Sequence, residues 1–116
     1  MAKSKTSQVV SVKVISGPRQ GETFIIKTDG SLLIGRHRKA NILIKNDPAV
    51  SGKHTLITWI KGNCYIEDLH STNGTLLNGK PVRRAVIKDE AFITIGSTLV
   101  KLNIMHPENK KENTSN

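Results

Sequence analysis

A chain of 116 residues has room for one domain with a single core and too little for two of ordinary size. Lys and Arg number 18 against 9 Asp and Glu, a formal charge of +9, which calls for an anionic partner without choosing among nucleic acid, acidic lipid and phosphorylated protein. The single cysteine excludes a disulfide framework, and no run approaches the ~18 apolar residues of a membrane-spanning helix.

Residues 1–8 open with Met-Ala-Lys-Ser-Lys-Thr-Ser, where no apolar run follows the positive charges, so they are expected to be a mobile N-terminal segment and not a secretory signal. Residues 106–116 hold nothing suited to burial and are expected to be a disordered polar tail. Setting aside Lys3, Lys5, Lys110, Lys111, Glu108 and Glu112 leaves 14 basic against 7 acidic residues, so the charge belongs to the domain expected over residues 9–105. With a lone Cys64 in Asn63-Cys64-Tyr65-Ile66, the chain reads as a soluble nuclear or cytoplasmic protein, off the membrane and monomeric.

Within that domain short runs of Val, Ile, Leu and Thr alternate with turn signals. Val10, Val12 and Val14 alternate with Ser11 and Lys13; Ser16 to Gly21 then loops, and Thr23 to Lys27 is the next strand. Thr28-Asp29-Gly30-Ser31 turns the chain into Leu32 to Ile34, which ends at Gly35-Arg36. Ile42 to Ile44 is a further short run, broken by Asn46-Asp47-Pro48. From His54 to Ile60 both faces carry apolar residues, and Lys61-Gly62-Asn63 turns that strand back into Cys64 to Asp68. Asn78-Gly79 after Leu76-Leu77 is the clearest hairpin signal, since both residues tolerate the positive φ of a type I′ turn. Pro81-Val82, Ala85 to Ile87, Ala91 to Ile95 and Thr98 to Met105 complete the set. No segment has a 3.6-residue period. The expected class is all-β, an antiparallel sandwich of about ten to eleven strands.

Three polar clusters interrupt this pattern: Gly35-Arg36 at a strand end, Ser51-Gly52-Lys53-His54 entering a strand, and Ser71-Thr72-Asn73-Gly74-Thr75 between strands. A fixed cation, a hydroxyl beside a flexible glycine and an amide-bearing turn are the parts needed to hold a phosphate on an extended peptide. A phosphorylated side chain carries about −1.5 to −2 charge and three strong acceptors, which a planar guanidinium meets in a bidentate way. Ser51 has a hydroxyl to donate, Gly52 leaves the neighbouring amides open to approach, and Asn73 offers a donor and an acceptor to a peptide main chain.

Read in order as GR, SGKH and STNGTLLNG, the clusters resemble the forkhead-associated domain, a SMAD-like β-sandwich module, over about residues 9–105. The resemblance implies binding of a phosphothreonine-containing protein, in an adaptor of signalling or nuclear regulation. It further implies phosphate binding by Arg36, Ser51 and Gly52, and a clamp on the peptide main chain by Thr72 and Asn73. Gly35, His54 and Gly74 would support the loops, and Ala49 and Val50, with Lys53 as a weaker candidate, would read residues beyond the phosphate. At Gly52 the chain departs from family members that carry a side chain able to add a contact.

Two other classes compete. A basic all-β nucleic-acid binder follows from the charge, but Phe24, Trp59, Tyr65 and Phe92 are the only aromatics and none are paired for base stacking. An enzyme would need Ser51 and His54 as nucleophile and base, and no carboxylate partner or oxyanion feature goes with them. His37, His70 and His106 are scattered, so no catalytic residue, metal site or cofactor is expected.

Overall fold

Period-2 alternation of β-branched residues buries one face of each strand, and two such faces closed on each other make the core. The computed structural model describes residues 8–105; the tail at 106–116 and, apart from Gln8, the expected N-terminal segment lie outside the described residues. Eleven strands are formed: β1 Val9–Ser16, β2 Thr23–Ile26, β3 Gly30–Gly35, β4 Ile42–Leu43, β5 Thr55–Ile60, β6 Asn63–Asp68, β7 Thr75–Leu77, β8 Lys80–Val82, β9 Arg84–Ile87, β10 Glu90–Ile95 and β11 Thr98–Met105. One sheet has the order β2-β1-β11-β10-β7-β8, the other β4-β3-β5-β6-β9.

Val10, Val12, Val14, Ile93, Val100 and Leu102 from the first sheet meet Ile34, Ile57, Trp59, Cys64 and Ile66 from the second in one core cluster. In β5 it is Thr55, Ile57 and Trp59 that turn inward, while Ile60 stays exposed. The hairpin turns follow the expected chemistry: Lys61-Gly62 and Asn78-Gly79 both have positive φ at both residues, at 51° and 79° and at 52° and 85°.

One pairing departs from the antiparallel expectation. β3 and β4 run parallel, with Ile34 opposite Ile42 and Gly35 opposite Leu43. The chain leaves β3 at Gly35, makes a short loop through Arg36 to Asn41 and returns alongside. Asn41 secures the crossing by donating its N–H to the Leu33 carbonyl (2.8 Å) while its Oδ1 accepts the Leu33 N–H (2.7 Å).

This topology gathers the polar clusters. Ile34 at the end of β3 pairs with Thr55 at the start of β5, and Thr55 pairs with Asp68 at the end of β6. The segments that follow β3, precede β5 and follow β6 therefore leave from the same end of the sandwich. The turn between β10 and β11 joins them, because Ser97 donates both its N–H (2.7 Å) and its hydroxyl (2.8 Å) to Asp47 Oδ2.

Candidate functional site

The end of β3 is locked onto the turn before β5 by backbone alone. Arg36 N–H donates to the Ser51 carbonyl (3.1 Å), His37 N–H to the Gly52 carbonyl (2.9 Å), and His54 N–H to the Ile34 carbonyl (3.0 Å). Gly35 lies inside this clasp, and a Cβ there would run into the Gly52 carbonyl and lie 2.9 Å from that of Ser51. Glycine at 35 is a steric requirement, and it is what delivers Arg36 to the rim.

Arg36 is exposed, and its Nε donates to the Val50 carbonyl. That bond fixes the direction of the guanidinium, leaving both Nη groups without a partner among the described residues. Ser51 Oγ accepts the Thr72 N–H (3.1 Å), which leaves the hydroxyl proton available to a ligand. The N–H groups of Gly52 and Lys53 also have no partner among the described residues. Free cationic N–H groups, one hydroxyl and two amides thus border the same turn.

Beneath them His54 is fully buried. Its Nδ1 accepts the Ser51 N–H (3.0 Å), so the ring proton sits on Nε2, which donates to the Gly74 carbonyl (2.8 Å). Its own carbonyl accepts the Leu69 N–H (2.9 Å). One side chain therefore ties the 51–54 turn to the 69–74 loop. The Nδ1 lone pair is taken by a backbone amide, so the histidine is not arranged to draw a proton from the Ser51 hydroxyl.

Asp68 anchors the second loop. Its Oδ1 accepts the hydroxyls of Ser71 (2.6 Å) and Thr75 (2.7 Å), and its Oδ2 the Ser71 N–H (3.1 Å). Desolvation pushes its carboxyl up, but these hydrogen bonds from Ser71 and Thr75 outweigh it and hold Asp68 below the usual carboxylate range. With Thr75 donating to Asp68, Thr55 Oγ1 donates to Thr75 Oγ1 (2.8 Å), which joins the two sheets through a buried polar chain. Gly74 has φ +84°, a conformation suited to glycine, and its N–H donates to Ser71 Oγ (2.8 Å).

Asn73 is exposed at the crest of this loop, where its Nδ2 donates to the Ala49 carbonyl (3.0 Å). Half of the amide is committed to bracing the loop before Ser51, leaving Oδ1 for an incoming main-chain N–H. Val50 is fully buried and packs into the core, so its side chain cannot line a ligand-facing surface as the sequence suggested. Its contribution is the carbonyl that orients Arg36. Ala49 is half-buried and Lys53 exposed. Arg38, Lys39 and Lys45 are exposed on the β3–β4 side of the site, whereas Arg84 lies over the Tyr65 ring, 5.6 Å from its centroid.

Sequence reasoning passed over Asp47, treating it only as a strand breaker. Its Oδ1 accepts the Ala49 N–H (3.0 Å) and its Oδ2 the two Ser97 groups; hydrogen bonds from the Ser97 backbone and hydroxyl, then from Ala49, lower its pKa. The Asp-Pro-Ala spacing was a signal for the local part of this cap. Burial pushes the Cys64 thiol up to about 11, so it offers no thiolate near neutral pH. Among the described residues no group of three or more His, Cys, Asp or Glu is placed to hold a metal ion.

Comparison with known proteins bears on the same segment. A family model described as the FHA domain matches residues 32–96, which includes all three clusters. FHA domain-containing protein At4g14490 of Arabidopsis thaliana is 39% identical over 64 residues, covering 55% of this chain and 17% of that protein. FHA domain-containing protein FhaA of Mycobacterium tuberculosis is 36% identical over 76 residues, covering 66% of this chain and 14% of that protein. The chain thus spans less than a fifth of the length of either curated relative. A solved structure from a structural and functional analysis of phosphothreonine-dependent FHA domain interactions superposes with a TM-score of 0.72 at 32% identity, covering 85% of this chain and 98% of that one.

Proposed function

Because the chain belongs to the FHA domain family, we propose that it is a phosphothreonine-dependent peptide-binding module that works as an adaptor in a nuclear or cytoplasmic protein, and not as a catalyst. The observation that carries this reading is the arrangement around Ser51. The hydroxyl is held as an acceptor by Thr72 N–H, and Arg36 is aimed by its bond to the Val50 carbonyl. A phosphate seated there receives both Nη groups of Arg36, the Ser51 hydroxyl and the Gly52 N–H. Asn73 Oδ1 takes a main-chain N–H of the peptide, and the Thr72 side chain closes the turn against it.

This assignment needs no new order in the protein, since each donor is already fixed by a bond to a neighbouring loop. The charge alone does not favour nucleic acid: Trp59 is buried, Phe24 and Tyr65 are half-buried, and no exposed pair of rings makes a stacking platform.

Calorimetry with a phosphothreonine peptide library and its unphosphorylated counterparts tests the reading. Micromolar affinity, about −8 kcal/mol, is expected for the phosphorylated set only. Arg36→Ala removes a charge-assisted contact worth about 1.5–3 kcal/mol of binding and leaves the melting temperature unchanged. Equal affinity for both peptide sets, or binding undiminished in Arg36→Ala, overturns it.

A further inference from the structure

The end of the sandwich opposite Arg36 and Ser51 has an opening of its own. Trp59 lies four residues along β5 from Thr55, roughly 13 Å from the turn that carries Ser51. There it borders a cavity of about 260 Å³ whose other apolar walls are Val86, Ile87 and Ile104, and whose polar groups come from Asn63 and Lys88. Gln8 also borders it and has a partner of its own. The turn at Gly62 keeps one side of the cavity clear, since a Cβ there would have no heavy atom within 4 Å.

The wall carries donors that the fold leaves unused. Trp59 is 3% exposed, and an indole so deeply buried ordinarily donates its N–H to a protein acceptor. Here that N–H has no partner among the described residues. Nor is it sealed: Thr98 Oγ1 is the only fully buried side-chain polar atom left unpaired among them, so the Trp59 N–H opens to solvent, and the cavity is the opening it borders. Lys88 is exposed and forms no ion pair among the described residues, and the Asn63 side-chain amide is also free. No carboxylate stands in the wall; Asp89, next to Lys88, lies outside it, with its carbonyl taken by the Ile104 N–H.

This chemistry sorts the possible guests. A cation would meet the Lys88 charge with the Asn63 Oδ1 as its only free side-chain acceptor. A purely apolar guest would cover the Trp59 N–H without replacing the water that now serves it. A small inorganic anion would satisfy the donors but leave Ile87, Ile104 and the indole ring wet. A guest with an apolar body and one carboxylate meets all of these demands. The volume falls below the roughly 300–1,000 Å³ of sites for drug-sized ligands, which suits a guest of roughly six to ten non-hydrogen atoms.

We infer that this cavity is a binding site for a small organic carboxylate, with its apolar body against Trp59, Ile87 and Ile104 and its carboxylate on Lys88, the Trp59 N–H and the Asn63 amide serving as the remaining donors. It lies away from the loops that carry Arg36 and Ser51 and does not rest on the phosphopeptide reading.

Trp59 is the only tryptophan in the chain, so its emission and its indole N–H resonance both report on the cavity. Titrating the full chain with cyclohexanecarboxylate should shift both signals saturably, with a Kd of about a millimolar or tighter. Cyclohexanecarboxamide, which keeps the body and loses the charge, and acetate, which keeps the charge and loses the body, should each bind about tenfold more weakly or worse. Lys88→Ala, at an exposed position, should weaken cyclohexanecarboxylate about tenfold, while Lys88→Arg holds it within about threefold, and both should melt as wild type does. The absence of a saturable shift below about 10 mM, equal affinity for the carboxamide or for acetate, or undiminished binding in Lys88→Ala overturns the site.

Discussion

The rim of the binding end and the layer just beneath it are built on opposite principles. Arg36, Ser51 and Asn73 each spend one hydrogen bond on the protein and keep the rest of their polar capacity facing out. His54, Asp68, Thr55 and Thr75 have their polar atoms paired within the protein, and three of the four side chains are fully buried. The lower layer places the loops and the upper layer is left free to recognise. Substitutions in the two layers should therefore separate stability from binding.

The sharpest break lies at Gly35. Gly35→Ala forces a Cβ against the Gly52 carbonyl, a backbone group that cannot move without dismantling the clasp between β3 and the 51–54 turn. A loss of about 4 kcal/mol or more in urea unfolding is expected, with peptide binding lost alongside it. Wild-type stability would refute the steric role given to this glycine. His54→Ala leaves a cavity and strands the Ser51 N–H and the Gly74 carbonyl, so it should cost about 2–4 kcal/mol of stability. A variant that melts like wild type and only binds more weakly would move His54 into the upper layer.

Acid titration probes the lower layer without a substitution. Asp68 has a folded-state pKa lowered from its ordinary value of 3.8, so its contribution is complete above 3.8 and is lost as pH falls through the lower folded value. Stability should thus decline below about pH 4, and Asp68→Asn should be less stable than wild type near neutrality and show a flatter acid limb. An identical acid limb in the two proteins would remove Asp68 from the account. The smallest expected effect lies in the upper layer. A Cβ on Gly52 would meet only His37 Cβ, at 4.0 Å, so a side chain fits there. Gly52→Ser should tighten phosphopeptide binding by about 0.5–1 kcal/mol through an added hydroxyl, with melting unchanged.

Residue patterns carried much of this into view before any fold. Arg36, Ser51 and Asn73 stand at loop positions between alternating strands, where a polar side chain is not being used to fill a core, so their chemistry reads directly. The type I′ turn at Asn78-Gly79 was legible for a similar reason, since its signal is complete within two residues. Val50 was not: an apolar residue in a polar loop looks like a surface contact, and only packing against the core shows that it points inward.

By itself, then, the sequence determined that the chain is all-β, where its turns fall, and which polar side chains stand in the loops between strands. These depend on period, turn chemistry and residue type, all local quantities. Only the tertiary structure decided that β3 and β4 run parallel, that Asp47 caps Ser97 fifty positions away, and that His54 holds two loops at once. Those contacts depend on which distant segments share one end of the sandwich, and a hydrogen bond across that distance leaves no periodic trace in the chain.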